Sequence, residues 1–431
     1  MSAICVTGIW HQGAVVAACL ADLGHEVVGL CDPVAANRLA AGEPLVHEPE
    51  LPELLRAGLA AGRLRFTSNA ADALRGAELV FLSTDTPVAE DDSPVLESVY
   101  ALAQTIRDGI DRDIVLCVSA QVPVGTTSEL ASIIANNPDG HRCIGVYVPE
   151  FLRLGEAVKT FREADRFVVG TSDPEAGDRV AALLEPLGRP VVRTDVHSAE
   201  MAKHAANAFL ATSISFMNEI ADICGVVGAD PGDVAAILKL DKRIGPCAYL
   251  NPGLGYAGGT LGRELRVLQD IGRREERPTR LTDAVVAVND ARPALVALQL
   301  RSALGGLDTR RVAVHGLTYK PGTSTLRRAV SLDIVKSLVD GGATVAASDA
   351  LADFRPAKEL PSMDLYRDPH EAAAGSDALV VLANATSSVL DFPRLREVMR
   401  GDLILDARSS LRPADVRSAG LRYASLWGVD G

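Results

Sequence analysis

The sequence predicts an α/β protein: two doubly wound parallel-sheet domains joined by a central helical segment. Three observations predict it. Short apolar runs alternate with helical periodicity over residues 1–197. The strand signal then stops, and long helical patterns fill 198–304. Apolar strands return after Gly305-Gly306 and recur through 305–431.

Residues 3–8 (AICVTG) read as a strand, and Gly13 opens an Ala-rich amphipathic helix to about Leu23. A second apolar run, Glu26–Cys31, ends in Asp32. Strand, glycine turn, helix, strand and acid together open a Rossmann-like, dinucleotide-binding unit. Similar runs follow at 78–84, 113–119, 143–149 and 167–171, with helical patterns between most of them. Such alternation implies a parallel sheet covered on both faces. Helical periodicity then covers Ala199–Val226, Pro231–Leu238, Arg263–Arg274 and Leu281–Leu304. AANAFLATSISFMNEIADICGVV is too apolar for one exposed face, so this segment is expected to be a dimerisation element giving a homodimer. Strands at 311–316, 344–348, 377–383 and 402–406 build the second Rossmann-like domain.

Composition bounds the partners. The chain has 431 residues, 48% apolar and 23% charged, enough to bury full cores. A net charge of −13 disfavours nucleic acid or an anionic membrane as a general partner. No uninterrupted apolar run reaches the roughly 18 residues that span a bilayer. MSAICVTGIW reads directly as a strand, without the basic start of a signal peptide. Cys5, Cys19, Cys31, Cys117, Cys143, Cys224 and Cys247 are scattered. They show neither a disulfide framework nor metal spacing, so reduced thiols in a cytoplasmic protein without a metal are expected.

Longer motifs narrow the reading. They include GRLRFTS (62–68), VPVGTT (122–127), PEFLR (149–153), DRFVVGT (165–171), SAEMAKHAANAFLA (198–211), RIGP (243–246), NPGLGYAGG (251–259) and LTYKPGTSTLRR (317–328). With these in order, the chain resembles the UDP-glucose/GDP-mannose 6-dehydrogenases over almost its whole length. That family oxidises a sugar C6 alcohol to a carboxylate with two NAD molecules, through a thiohemiacetal and a thioester on a cysteine. The resemblance implies that Lys203 and Asn207, one turn apart on a helix, position the reacting oxygen. It implies a general acid/base or water-orienting role for Glu150. Arg243 and Lys320 would hold the diphosphate or sugar. Gly253, Gly255 and Tyr256 would form the loop over sugar and nucleotide, and Arg408 would lie near substrate and cofactor.

Other positions depart from the family pattern. GYAGGTLGRE (255–264) has Thr260 where the family has the cysteine, and Glu264 where it has an aspartate. Gln121 replaces a threonine before VPVGT, and Leu154 replaces the second acid after PEFLR. In the cofactor turn Gly8 and Gly13 remain, but the middle glycine is Trp10. Asp32, 24 residues after Gly8, could still hold the adenosine ribose. Asp85 replaces a glycine that should face the dinucleotide. The expectation is a protein that binds a UDP- or GDP-linked sugar, binds NAD weakly or not at all, and runs an altered reaction, non-redox or a single two-electron step. A non-catalytic sensor or partner of an active paralogue, and an ordinary NAD-dependent 6-dehydrogenase with compensated substitutions, are the alternatives.

Overall fold

The computed structural model describes residues 2–89, 92–257, 259–318, 324, 326, 328–354, 360–383 and 389–429. The chain forms two compact units, Met1–Ala205 and Ala206–Gly431.

The first unit holds an eight-stranded sheet. Its strands are β1 (Ala3–Thr7), β2 (Glu26–Leu30), β3 (Leu64–Thr67), β4 (Leu79–Leu82), β5 (Ile114–Val118), β6 (Cys143–Tyr147), β7 (Phe167–Gly170) and β8 (Val191–Thr194). The spatial order is β3-β2-β1-β4-β5-β6-β7-β8. All neighbours are parallel except β6 and β7, which meet antiparallel at Tyr147 and Gly170. Alternate residues feed opposite cores. Ile4 and Val6 join Phe81, Val115 and the helix His11–Asp22 on one face. Cys5 joins Val80, Leu116, Ile106 and Leu130 on the other. Both faces are therefore covered, as the near-continuous apolar strands required.

The second unit holds β9 (Arg311–His315), β10 (Thr344–Ser348), β11 (Asp364–Tyr366), β12 (Ala378–Val381), β13 (Leu403–Asp406), β14 (Arg422–Ser425) and β15 (Gly428–Val429). Their order is β11-β10-β9-β12-β13-β14-β15, with only β14 and β15 antiparallel. The sheets share one device. A Cβ on Gly8 after β1 would lie 2.5 Å from the Thr84 nitrogen after β4, and one on Gly316 after β9 would lie 2.4 Å from the Ala383 Cβ after β12. Both glycines have positive φ, so only glycine lets each central strand pair close at its C-terminal end.

The helices mostly follow the sequence pattern. Asp32, Asp173, Asp230 and Asp368 each cap a helix whose first residue is the following proline. The pattern at Leu281–Leu304 is a correction: it forms two helices, Arg280–Asp290 and Arg292–Leu304. Pro293 explains the break, because it cannot donate to the preceding turn and its ring crowds the chain there. In the second unit Ala221, Leu254, Val296 and Leu300 pack in one core with Val312, Val314 and Trp427.

The helix Val196–Val227 has inverted amphipathicity. Glu200, Lys203, His204, Asn207, Ser215 and Asn218 are buried on it, at helical spacing, while Phe209, Phe216 and Ile223 are 71%, 49% and 53% exposed. By length and composition alone it is apolar enough to cross a membrane. Its buried polar face instead holds protein partners: Glu200 and Asn218 accept backbone N–H groups, and His204 Nε2 lies 3.0 Å from the Val122 carbonyl.

Candidate functional site

In the first sheet the strand order reverses between β1 and β4, which places a crevice at the C-terminal ends of those strands. A pocket of about 350 Å³ opens there, lined among others by Gly8, Trp10, Cys31, Asp32, Thr84 and Asp85. Trp10 occupies the N-cap of the helix His11–Asp22 with no side-chain cap, and its indole is 51% exposed. Asp32 uses Oδ1 to accept the Val34 and Ala35 N–H groups at 2.9 and 3.0 Å. Asp85 is exposed. A Cβ on Gly13 would lie 2.9 Å from the Gly8 carbonyl oxygen, so this glycine seats the helix against the turn. Gln121 is half-buried and does not line the pocket; its carbonyl accepts from the Thr86 hydroxyl at 2.9 Å. Burial pushes the Cys31 thiol up to about 11, with Asp32 adding to the rise, so this cysteine is no ready nucleophile.

The turn is also tied from behind, through residues that sequence reasoning missed. His11 Nε2 lies 2.7 Å from Glu48, whose carboxylate is fully buried. Glu48 also accepts the Gly155 and Ala157 N–H groups at 2.8 and 2.7 Å. One carboxylate thus links the cofactor turn to the segment that follows PEFLR. The signal in sequence was only an acid in an irregular stretch, HEPE, with nothing to name its partners.

Lys203 and Glu150 come together in the same unit. The Lys203 ammonium donates to the Glu150 carbonyl, lies 3.6 Å from Oε1 of the same residue, and stands 4.7 Å from the Phe151 ring centroid. The Glu150 carboxylate accepts the Leu152 N–H at 2.7 Å. Two neighbours on the helix hold Lys203 in place. Glu200 accepts the Gly125 and Thr127 N–H groups at 2.6 and 2.9 Å, and His204 meets the Val122 carbonyl. Both grip the VPVGTT segment. Asn207 is 7% exposed, and its Nδ2 has no partner among the described residues. A buried donor without an acceptor is costly, so this amide is placed to receive an oxygen.

The second unit orders the NPGLGYAGG loop. Asn218 accepts the Gly253 N–H and Asn289 accepts the Tyr256 N–H, both at 2.8 Å. Gly255 has φ +87°, and a Cβ there would lie 2.3 Å from Asn289 Oδ1. A Cβ on Gly253 would meet nothing within 4 Å, so this glycine faces open space. Burial, then the Asp290 charge, raise the Tyr256 hydroxyl and keep it a neutral donor.

Thr260 is the second residue of the helix Gly259–Arg274 and is exposed. Glu264 is fully buried, 3.5 Å from Arg263 Nε. Arg243 is exposed and paired with Asp241 at 2.6 Å, so it closes its own turn. Arg408 follows β13 and donates from Nε to the Leu382 carbonyl after β12 at 2.8 Å. Burial lowers its pKa, against the pull of Asp406. Lys320 lies outside the described residues.

This arrangement matches known proteins along the whole chain. The NAD binding domain of the UDP-glucose/GDP-mannose dehydrogenase family matches residues 2–188, its central domain 197–291 and its UDP binding domain 313–413. The chain belongs to the UDP-glucose/GDP-mannose dehydrogenase family. It is 36% identical to a UDP-glucose 6-dehydrogenase of Rhizobium meliloti, covering 98% of this chain and 99% of that one. A Pseudomonas aeruginosa UDP-glucose 6-dehydrogenase is 35% identical, with coverage of 98% and 97%. The structure of a UDP-glucose dehydrogenase from Pyrobaculum islandicum superposes with a TM-score of 0.89 at 30% identity, covering 99% and 98%. Within this family the first unit contributes the nucleotide-cofactor domain and the second the domain for the UDP moiety. Among the described residues no cluster of His, Cys, Asp and Glu could hold a metal ion.

Proposed function

We propose that this family member binds a nucleoside-diphosphate sugar but does not oxidise it to the uronate. Thr260 carries this reading. It stands on the first turn of its helix, in GYAGGTLGRE, where the family motif has the nucleophilic cysteine. Four-electron oxidation needs a group that adds to the aldehyde carbonyl and later leaves. An alcohol is almost never ionised at neutral pH. The carboxylate one turn on, Glu264, is buried beside Arg263 while Thr260 is exposed, which argues against a base at the hydroxyl. The other thiols offer no substitute. Burial pushes Cys5, Cys19 and Cys143 up to about 12 and Cys117 higher still, and Cys224 is buried. Cys247 is exposed, but it stands thirteen residues before Thr260, outside the motif.

The residues for handling a sugar oxygen remain. The buried Lys203 ammonium can stabilise charge on that oxygen, the Asn207 amide can donate to it, and Glu150 can exchange a proton with it. This set supports a non-redox conversion of a bound nucleotide sugar, or a single two-electron oxidation in which NAD would take the hydride. The test incubates the protein with NAD and UDP- or GDP-linked sugars, with uronate measured by mass spectrometry and binding by thermal shift. Stabilisation by at least one sugar nucleotide without uronate is expected. Uronate formed with two NADH per sugar would return the chain to the ordinary dehydrogenases.

A further inference from the structure

Arg292 is fully buried, yet half of its guanidinium is unused. Asp222, partly exposed on the helix Val196–Val227, accepts from Nη1 alone, at 2.8 and 2.7 Å. Nε and Nη2 have no hydrogen-bond partner among the described residues. Those two nitrogens form the edge that donates two parallel N–H groups to a pair of oxygens. Arg243 and Arg400 show the ordinary use of that edge in this chain, each gripping both oxygens of an aspartate, Asp241 and Asp377. Leaving it unpaired away from water is costly, the more so for a charged group. A second donor stands close by. Asn218 lies one turn before Asp222 on the same helix face. Its Oδ1 accepts the Gly253 N–H at 2.8 Å, while its buried Nδ2 has no partner among the described residues. The NPGLGY loop spans both: a Cβ on Gly255 would lie 3.4 Å from Arg292 Cγ, and one on Gly253 would meet nothing within 4 Å. All three unpaired groups are donors, and the loop beside them borders open space at Gly253.

We infer that Arg292 and Asn218 seat a free oxyanion of phosphate size beneath this loop, apart from any nucleotide. Two of its oxygens answer the guanidinium edge and a third accepts from the Asn218 amide. A halide offers one atom to the fork and cannot do this. The unpaired nitrogens are enclosed, which suits a small free anion and not a phosphate tethered to a nucleoside. The anion enters as residues 251–256 lift, and then fixes that loop against Asn218 and Arg292. The inference is independent of whether a uronate is made.

The test is calorimetry on the full-length protein at constant ionic strength, with inorganic phosphate, chloride and UDP. One phosphate should bind per chain, chloride should not displace it, and saturation with UDP should leave its affinity unchanged. Asn218→Asp keeps the acceptor for Gly253 and turns the donor into an oxygen that repels the anion. Arg292→Lys keeps a positive charge for Asp222 and removes the fork. Each should weaken phosphate about tenfold or more. Urea unfolding read by Trp427 fluorescence in a Trp10→Phe background shows that a variant is folded, and either folded variant suffices. Absence of phosphate binding to the wild type, displacement of phosphate by UDP, or an affinity unmoved in a folded variant would each overturn the inference.

Discussion

Glu48 links three elements at once, and its removal should be among the most damaging single changes in the first unit. The carboxylate is fully buried, accepts the Gly155 and Ala157 N–H groups at 2.8 and 2.7 Å, and lies 2.7 Å from His11 Nε2. Glu48→Ala leaves two amide donors without an acceptor and strips His11 of its partner. Hydrogen bonds to a charged group contribute about 1.5–3 kcal/mol each, and they are not additive. Glu48→Ala should therefore cost about 3–5 kcal/mol, a large share of the roughly 5–15 kcal/mol that holds a domain folded. Glu48→Gln keeps one acceptor oxygen and should cost about half as much. His11→Ala alone should cost about 1–2 kcal/mol, and the double variant should show coupling of about 1 kcal/mol or more. The chain's two tryptophans, Trp10 and Trp427, fall one in each unit, so a Trp427→Phe background leaves Trp10 fluorescence to report on the first unit alone. Urea titrations read this way give the values directly. If Glu48→Ala changes the stability of the first unit by under about 1 kcal/mol, the carboxylate is not what joins the turn to residues 155–157.

Further outcomes are expected. The exposed stripe Phe209, Phe216, Ile223 predicts a dimer in light scattering, and Phe209→Glu with Phe216→Glu should yield a folded monomer; a wild-type protein that stays monomeric at high concentration refutes this. Burial would raise the Asp349 carboxyl, but four backbone N–H donors hold it below the usual aspartate range. Its stabilisation is thus present above the ordinary aspartate pKa of about 3.9 and disappears as pH falls through the lower folded value. Asp349→Asn should cost the second unit about 1–3 kcal/mol at neutral pH, and the difference from the unsubstituted Asp349 should vanish in acid, both read by Trp427 fluorescence in a Trp10→Phe background. Gly255→Ala meets both a φ of +87° and Asn289 Oδ1 at 2.3 Å, so it should destabilise by about 1–3 kcal/mol and reduce the thermal shift given by nucleotide sugars. Thr260→Cys alone should not produce uronate, as the cofactor turn remains altered; mass spectrometry of the products checks this.

Local pattern was enough for the two sheets and the helical block, because period-2 and period-3.6 burial is written residue by residue. It reached the central strands but not β3, β8, β11 and β15, the four sheet edges, nor the short β14. An edge strand such as LRFT buries few residues, so its apolar signal is weak. Motif resemblance also named Lys203, Glu150 and Asn207 before their geometry was known. It did not name Glu48, Glu200, Asn218 or Asn289, whose work is to accept backbone N–H groups up to 109 residues away in the chain. Such a bond leaves no periodicity and no spacing, since its partner is an amide that almost any residue supplies. Only the folded chain brings donor and acceptor together. The ion pair of Arg243 with Asp241, two residues away, is likewise visible only in the folded chain, while the role of Arg243 toward the diphosphate or sugar is what the resemblance implies.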